Sequence, residues 1–149
     1  MKVSALMTSP PVVAAPAATA RQAALRMDEE AVGCLLVADD EHLHGLVTDR
    51  DLTVRTLARG LAPDTPVSQL MSTPVVTLDV TDDLESAYRL FNRSGVRRLP
   101  VLDGHRPVGM LAIDDLFRDV LQHLADLLGP ISWSVLRDGV RDGADQATD

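Results

Sequence analysis

The sequence contains one segment twice, and the two copies lie 64 residues apart. Residues 3–10 (VSALMTSP) align with residues 67–74 (VSQLMSTP), and residues 35–39 (LLVAD) align with residues 99–103 (LPVLD), without a gap. A unit of about 60 residues buries only about 60% of the surface that its extended chain exposes, so one copy alone is marginally stable. We therefore expect the two copies to pack on each other about a pseudo-twofold axis.

The residue pattern of each copy predicts the same order of secondary-structure elements, namely helix, strand, helix, strand, strand and helix. Apolar residues at positions i, i+3, i+4 and i+7 predict that the second helix is amphipathic, and in the second copy it is expected to begin with Thr81 as its N-cap. The two later strands are joined by turn residues, which include an Asp-Gly pair at 103–104 that is typical of hairpins. The closing helices are expected to end at Gly60 and Gly129, because glycine commonly follows a helix.

The same pattern divides the chain into three segments. The first copy covers 1–60 and the second covers 61–129, with proline and glycine breakers between them. Residues 130–149 form a C-terminal extension, in which we expect a short helix containing Trp133 and then a disordered acidic tail.

The composition excludes several classes of function. Apolar residues make up 46% of the chain and aromatic residues only 3%, so the core must be aliphatic. No apolar stretch approaches the roughly 20 residues that span a bilayer, and Cys34 has no partner for an internal disulfide, which suits a reducing compartment. The net charge of −8 disfavours nucleic acid and anionic membranes as partners. We expect a cytoplasmic protein with no nucleic-acid or membrane partner.

The duplicated unit resembles a known family. With LMT.P, LPV.D and G..T..D at these positions, it is similar to the cystathionine-β-synthase (CBS) domain pair, also called the Bateman module, and looks like the short bacterial two-domain proteins with no enzyme attached. The resemblance implies an α/β (α+β) fold of two βαββα units, each with a three-stranded sheet and helices on one side. It also implies a cleft that binds adenosine-containing ligands and a homodimer formed through the helices.

The ligand signature of that family is glycine, two apolar residues, a hydroxyl residue, any residue, a second hydroxyl residue and aspartate. The first copy reads GLVTDRD from Gly45, so it keeps Thr48 and Asp51 but has Arg50 at the second hydroxyl position. A carboxylate can accept hydrogen bonds from both hydroxyls of a ribose, and the resemblance assigns this role to Asp51. Thr48 and the N–H groups of the helix start would receive phosphate oxygens, and Arg50 would pair with them.

The same four residues have a structural interpretation. A threonine followed three residues later by an acid is the pattern of a helix capping box, in which Asp51 would only satisfy the start of its helix. Both roles can coexist. The second copy reads GMLAIDD, where alanine cannot donate to a phosphate and Asp114 would repel one, so the second site, with Asp114 and Asp115, is expected to be degenerate.

Further residues complete the predicted nucleotide site. Val12 and Val13 would supply aliphatic walls for a purine, since the chain has few aromatic residues to stack on it. Arg97 and Arg98 are adjacent on a strand and point to opposite faces, so one of them could reach a phosphate; a solvated pair on a sheet edge is the alternative.

His42 and His44 would share one face if extended, which would suit a metal. No third ligand is evident in the sequence, so no metal site is predicted, and Cys34 in its apolar strand reads as a small core residue.

Two hypotheses follow for the function. The first is a non-catalytic regulatory module that senses an adenosine nucleotide (AMP, ADP or ATP, or else NADH or S-adenosylmethionine) in the cleft of the first copy, with no other cofactor required. The second is a ligand-free module that dimerises and docks an unidentified protein partner. We do not expect an enzyme, because no Ser/His/Asp arrangement, phosphate-binding loop or zinc spacing is present.

Overall fold

The structure, a computed structural model, describes residues 1–40 and 42–144, and residues 132–144 by their backbone alone. The first copy contains strand β1 (Val13–Ala14), helix α1 (Ala20–Glu29), strands β2 (Cys34–Ala38) and β3 (Leu43–Thr48), and helix α2 (Asp49–Leu52), which a π-helical stretch (Thr53–Leu57) continues. The second copy contains strand β4 (Leu78–Asp79), helix α3 (Leu84–Ser94), strands β5 (Arg98–Asp103) and β6 (Arg106–Ala112), and helix α4 (Ile113–Ala144). The first helix predicted in each copy is a short 3-10 turn, at Val3–Ala5 in the first copy and Val67–Gln69 in the second.

Each copy forms its own three-stranded sheet, in the orders β1-β2-β3 and β4-β5-β6. In both sheets the first strand runs parallel to the second, and the second and third strands form an antiparallel hairpin. The registers are equivalent at an offset of 64, since Leu36 pairs with Leu46 and Pro100 pairs with Met110. The predicted α/β fold class, with one small three-stranded sheet in each copy, is confirmed.

The two copies exchange the segments that precede their first strands. Thr8 and Met110 exchange backbone hydrogen bonds of 2.9 and 3.0 Å, and Leu46 and Ser72 exchange equivalent bonds of 3.2 and 2.7 Å. Each segment therefore extends the hairpin of the other copy. The hydrophobic core of the first sheet accordingly includes Val67, from the start of the second copy. Each packing unit therefore contains a short segment of the other sequence repeat.

This exchange explains the glycine in each signature. A Cβ atom at Gly45 would lie 2.6 Å from the sulfur of Met71, and a Cβ atom at Gly109 would lie 2.5 Å from the sulfur of Met7. Carbon and sulfur atoms in ordinary contact are roughly 3.5–4.0 Å apart. Glycine is therefore required at both positions because the exchanged methionine packs directly on the strand backbone.

Helix α3 starts two residues later than the sequence predicts. Thr81 was the expected N-cap, but its N–H and its hydroxyl both donate to Oδ1 of Asp79, at 2.8 and 2.5 Å. Asp83 caps the helix instead, because its Oδ1 accepts the N–H of Ser86 at 2.8 Å. That hydrogen bond lowers the pKa of Asp83. The prediction of Thr81 as N-cap is wrong, because Thr81 is held by its hydrogen bonds to Asp79 in the turn before the helix.

Helix α4 also departs from the prediction, because it continues through Pro130 to Ala144 instead of ending at Gly129. Among the described residues, the glycines with positive φ are Gly60, Gly95 and Gly104, so Gly129 does not take the left-handed conformation that closes a helix. A proline inside a helix removes one hydrogen bond and bends it, but does not have to end it. The side chain of Trp133 and the last residues of the expected acidic tail, 145–149, lie outside the described residues.

The chain divides into two compact units, of which the first, Met1–Ile113, contains both sheets and the second begins at Asp114. The core of the first unit is aliphatic, as the composition predicts. No helix among the described residues is both long enough and apolar enough to cross a membrane. The fully buried side chains of the described residues include Leu35, Leu36, Leu70, Leu99 and Leu111.

Candidate functional site

The turn between β3 and α2 brings together the hydroxyl and the carboxylate that the sequence singles out. The Oγ1 atom of Thr48 accepts the N–H of Asp51 at 3.1 Å, and Oδ2 of Asp51 accepts the N–H of Thr48 at 3.0 Å. This reciprocal pair is a complete capping box. The capping box that the sequence predicts is therefore present in the structure. A ligand can use only those hydrogen-bonding positions of Thr48 and Asp51 that the capping box does not occupy.

The carboxylate of Asp51 faces the protein and only 16% of its side chain is exposed. Its second oxygen, Oδ1, lies 3.5 Å from Nη2 of Arg55. The same guanidinium donates to the carbonyl of Leu70 at 2.6 Å and to Oγ of Ser72 at 3.2 Å. Arg55 thus connects the acidic residue of the first copy to the exchanged segment of the second.

Sequence reasoning missed Arg55. The signal that could have found it is its position four residues after Asp51, because an acid followed at i+4 by a base is a stabilising pair on a helix. Its contacts with residues 70–72 could not have been found this way, because they depend on the exchange of segments.

Arg98 of the second copy acts on the charge of Cys34, a residue of the first copy. Burial raises the pKa of the Cys34 thiol to about 11, while the guanidinium of Arg98 lowers it and the carboxylates of Asp51 and Asp49 raise it. Cys34 pairs with Thr48 across the β2–β3 hairpin. One arginine of the second copy therefore acts on the residue that pairs with Thr48. Cys34 is the buried core residue that the sequence predicts.

The other two predicted arginines are exposed, as Arg98 is. Arg50 is exposed, and its N–H donates to Oδ1 of Asp49 at 2.8 Å. Arg97 is exposed as well, and its carbonyl accepts the N–H of Ile113 at 2.9 Å. Of the adjacent arginines, Arg98 is thus the one that acts on Cys34.

The two predicted valines differ in their surroundings. Val12 packs against the core of the first sheet, and its carbonyl accepts the N–H of Leu36 at 3.0 Å. Val13 is exposed and lines a pocket of about 310 Å³ together with residues of α1, among them Gln22 and Arg26. Neither Thr48 nor Asp51 lines that pocket, and a role of Val13 in a nucleotide site stays a prediction.

The corresponding residues of the second copy have a different local geometry. Asp114 and Asp115 lie in the first turn of α4, and Oδ1 of Asp115 is 3.5 Å from Nη1 of the exposed Arg118. Ala112 occupies the place of Thr48 and has no hydroxyl for a capping box. The reciprocal pair of the first copy therefore cannot form here.

Comparison with known proteins decides the family. The family model described as "CBS domain" matches this chain twice, over residues 3–55 and 67–122. The chain belongs to the CBS domain family. The predicted resemblance is thereby confirmed, and the chain is a pair of CBS domains, which is a regulatory module.

Relatives and solved structures agree with this assignment. The CBS domain-containing protein YhcV of Bacillus subtilis is 38% identical over 74% of this chain and 79% of its own length. The crystal structure of Hypoxic Response Protein I with two coordinated zinc ions is 30% identical, with a TM-score of 0.72 over 79% of this chain and 98% of that one. The CBS domain pair of protein MJ0100, in complex with 5-methylthioadenosine and S-adenosylmethionine, has a TM-score of 0.73 over 83% of this chain and 98% of that one, at 20% identity, and shows the shared fold alone.

Proposed function

We propose that this CBS pair is a regulatory module that binds one adenosine-containing nucleotide at the Thr48–Asp51 turn of its first copy. The observation that carries the proposal is the meeting of groups from both copies at this turn. A carboxylate and a hydroxyl come from the first copy, and Arg55 joins that carboxylate to Leu70 and Ser72 of the second copy. Arg98 of the second copy acts on the thiol of Cys34, which pairs with Thr48. The adenosyl ligands of the CBS pair of MJ0100 support the proposal in so far as they indicate what this fold can accommodate.

The capping box leaves Asp51 with capacity for a ligand. An ionised carboxylate offers about four lone-pair sites, and here one short hydrogen bond and one ion pair at 3.5 Å use only part of them. The two hydroxyls of a ribose would donate to the remaining sites. Capping and ribose binding are therefore compatible roles for one side chain.

Thr48 and Arg98 supply complementary groups for a phosphate. The hydroxyl of Thr48 accepts a hydrogen bond in the capping box, so its own proton remains available to donate to a phosphate oxygen. The guanidinium of Arg98 adds a positive charge that can pair with phosphate in a fork geometry. Because Ala112 and two acidic residues stand at the matching place in the second copy, we propose one nucleotide per chain.

The proposal is tested by measuring nucleotide affinity in a pair of matched variants. Asp51→Asn keeps an oxygen that can cap the helix but removes the charge and one acceptor, and Asp115→Asn makes the same change in the second copy. A hydrogen bond to a charged group contributes about 1.5–3 kcal/mol, so Asp51→Asn is expected to weaken binding about 10- to 150-fold. Asp115→Asn should change it far less.

The second candidate function, self-association, is supported by the exposed apolar residues of α4. Five of them follow one another at intervals of four, three, four and three residues, which is the spacing of the a and d positions of a heptad. Each of these five is about half exposed or more, and they are Phe117, Leu121, Leu124, Leu128 and Ile131. Val120 and Leu127, which adjoin them in the sequence, are exposed as well. Such a face is self-complementary, so we propose that it packs against the same face of a second copy in a homodimer.

Light scattering coupled to gel filtration tests the homodimer. The wild-type chain is expected to have about twice its mass of 16.0 kDa. Leu124→Asp, which places a charge within the apolar face, should give a monomer, whereas Gln122→Asp places the same charge beside that face and should leave the dimer intact. Dimers of both variants, or a monomeric wild type, would show that α4 does not form the interface.

A further inference from the structure

Three of the four histidines of the chain line one pocket, although they come from different copies. His42 and His44 belong to the β2–β3 hairpin and its turn, and His105 lies in the turn of the β5–β6 hairpin. The pocket has a volume of about 290 Å³, and its remaining lining residues include Val75, Thr77 and Leu102. All three histidines are exposed, so their rings can change rotamer without disturbing the core.

The spacing of the imidazole rings suits a shared metal ion. The ring centroids of His42 and His105 are 6.0 Å apart, and those of His42 and His44 are 6.4 Å apart. With metal–nitrogen bonds of about 2.0–2.1 Å, two rings on one tetrahedral metal have centroids about 5–6 Å apart. As the side chains stand, the described His, Cys, Asp and Glu residues contain no group of three arranged around one metal, so a small rotation of the rings is required.

Asp39 orients part of this cluster. Its Oδ2 lies 2.6 Å from Nε2 of His44, and its Oδ1 accepts the backbone N–H of His42, not a ring N–H, at 2.8 Å. A carboxylate that holds one nitrogen of an imidazole leaves the other nitrogen as the metal ligand and raises its basicity. Because Asp39 holds Nε2 of His44, Nδ1 is the nitrogen of that ring that remains as a metal ligand.

We infer that His42, His44 and His105 form a binding site for a divalent transition metal, such as Zn²⁺ or Ni²⁺, that links the hairpins of the two copies. Imidazole is a favoured ligand of these metals, and three protein ligands with a water in the fourth position form a common zinc geometry. The site does not depend on the proposed nucleotide site, since its pocket contains neither Thr48 nor Asp51.

Isothermal titration of the full chain with Zn²⁺ tests the inference. The wild-type chain is expected to bind one Zn²⁺, and His105→Ala and His42→Ala should each weaken binding at least 10-fold. Asp39→Asn should weaken it about 10- to 100-fold, which is the usual effect of removing a carboxylate behind a metal-bound histidine. The visible absorption of bound Co²⁺ gives a second measurement, because its intensity distinguishes a tetrahedral site from a hydrated octahedral ion, and it should be lost in His105→Ala.

His123→Ala is the matched control. This fourth histidine lies on α4, outside the pocket, where its Nδ1 is 3.3 Å from Asp119, so its loss should leave Zn²⁺ affinity unchanged. The inference is overturned if the wild type binds no Zn²⁺, or if His123→Ala reduces binding as much as His105→Ala. Nucleotide affinity of the His105→Ala chain should equal that of the wild type, so the two sites can succeed or fail independently.

Discussion

The glycine of the first-copy signature provides a direct test of the segment exchange. In Gly45→Ala, the added Cβ would lie 2.6 Å from Sδ of Met71, 2.8 Å from its Cγ and 3.0 Å from its Cβ. The last two atoms are close to the backbone, so a change of the outer methionine torsions cannot relieve the whole overlap. The methionine, and with it the exchanged segment, must move.

The magnitude follows from two opposing effects. Overpacking of a filled site destabilises a protein by about 1–3 kcal/mol. Against this, replacing glycine by alanine where the backbone has no positive φ stabilises by about 0.4–1 kcal/mol through the unfolded state. We expect Gly45→Ala to lower the free energy of unfolding by about 1–2 kcal/mol, taking both effects together. Gly109→Ala should lower it further, because its Cβ would also lie 3.0 Å from the backbone oxygen of Thr8.

Urea denaturation followed by circular dichroism measures these changes. Gly129→Ala is the control, since a Cβ there meets nothing within 4 Å, and it should be neutral or stabilising. In the double variant Gly45→Ala/Met71→Ala, the loss should be smaller than the sum of the two single losses, because the clashing side chain is gone. If Gly45→Ala is as stable as Gly129→Ala, the packing of Met71 on the strand is not as described.

Two further predictions concern the surroundings of Asp51. Arg55→Met removes the ion pair with Asp51 and the hydrogen bonds to Leu70 and Ser72, so urea denaturation should show that the free energy of unfolding falls by about 1–3 kcal/mol. The control Arg89→Met breaks the exposed pair with Glu85 and should change it by less than about 0.5 kcal/mol. Equal effects of the two variants would contradict the bridging role of Arg55. Burial raises the pKa of Cys34 from 9.0 to about 11, so the folded state holds this proton more tightly than the unfolded state. The stabilisation from the buried, protonated Cys34 thiol is therefore complete below pH 9 and is lost as the pH rises from 9 towards 11. At pH 8 the thiol should react with a disulfide reagent only after the chain is unfolded in urea. Rapid reaction of the folded chain would show that Cys34 is accessible.

The repeat made most of the fold predictable. Because both copies carry the same apolar pattern at the same offset, one assignment of elements had to satisfy two segments, and both sheets formed in the same register. The capping box at Thr48 was predictable for a related reason, since it depends only on residues three positions apart. Patterns of this kind can be recognised because they depend only on residues that are close together in the sequence.

Contacts between distant segments were not predictable from local patterns. The sequence records that Val67 and Met71 are apolar, but not that they pack on the sheet of the first copy. The bridge from Arg55 to residues 70–72 and the meeting of His42 with His105 have the same origin. In each case the contact partner depends on how the two copies pack on each other. The periodicity of one copy does not contain that information.

The helix boundaries that were missed have a local physical cause. Thr81 is a good capping residue, but Asp79 binds its N–H and hydroxyl first. At Gly129 the backbone keeps a negative φ and α4 continues, so the glycine does not act as a cap. Propensity predicts which residues can end a helix, and at Thr81 competing hydrogen bonds decide that it does not.

The nucleotide proposal is tested most directly by equilibrium dialysis of AMP, ATP, NADH and S-adenosylmethionine against the wild type, Asp51→Asn and Asp115→Asn. The account predicts saturable binding of at least one of these ligands at one per chain, weakened about 10- to 150-fold by Asp51→Asn and little by Asp115→Asn. Equal affinity in all three chains, or no binding of any of them at millimolar concentration, would contradict it.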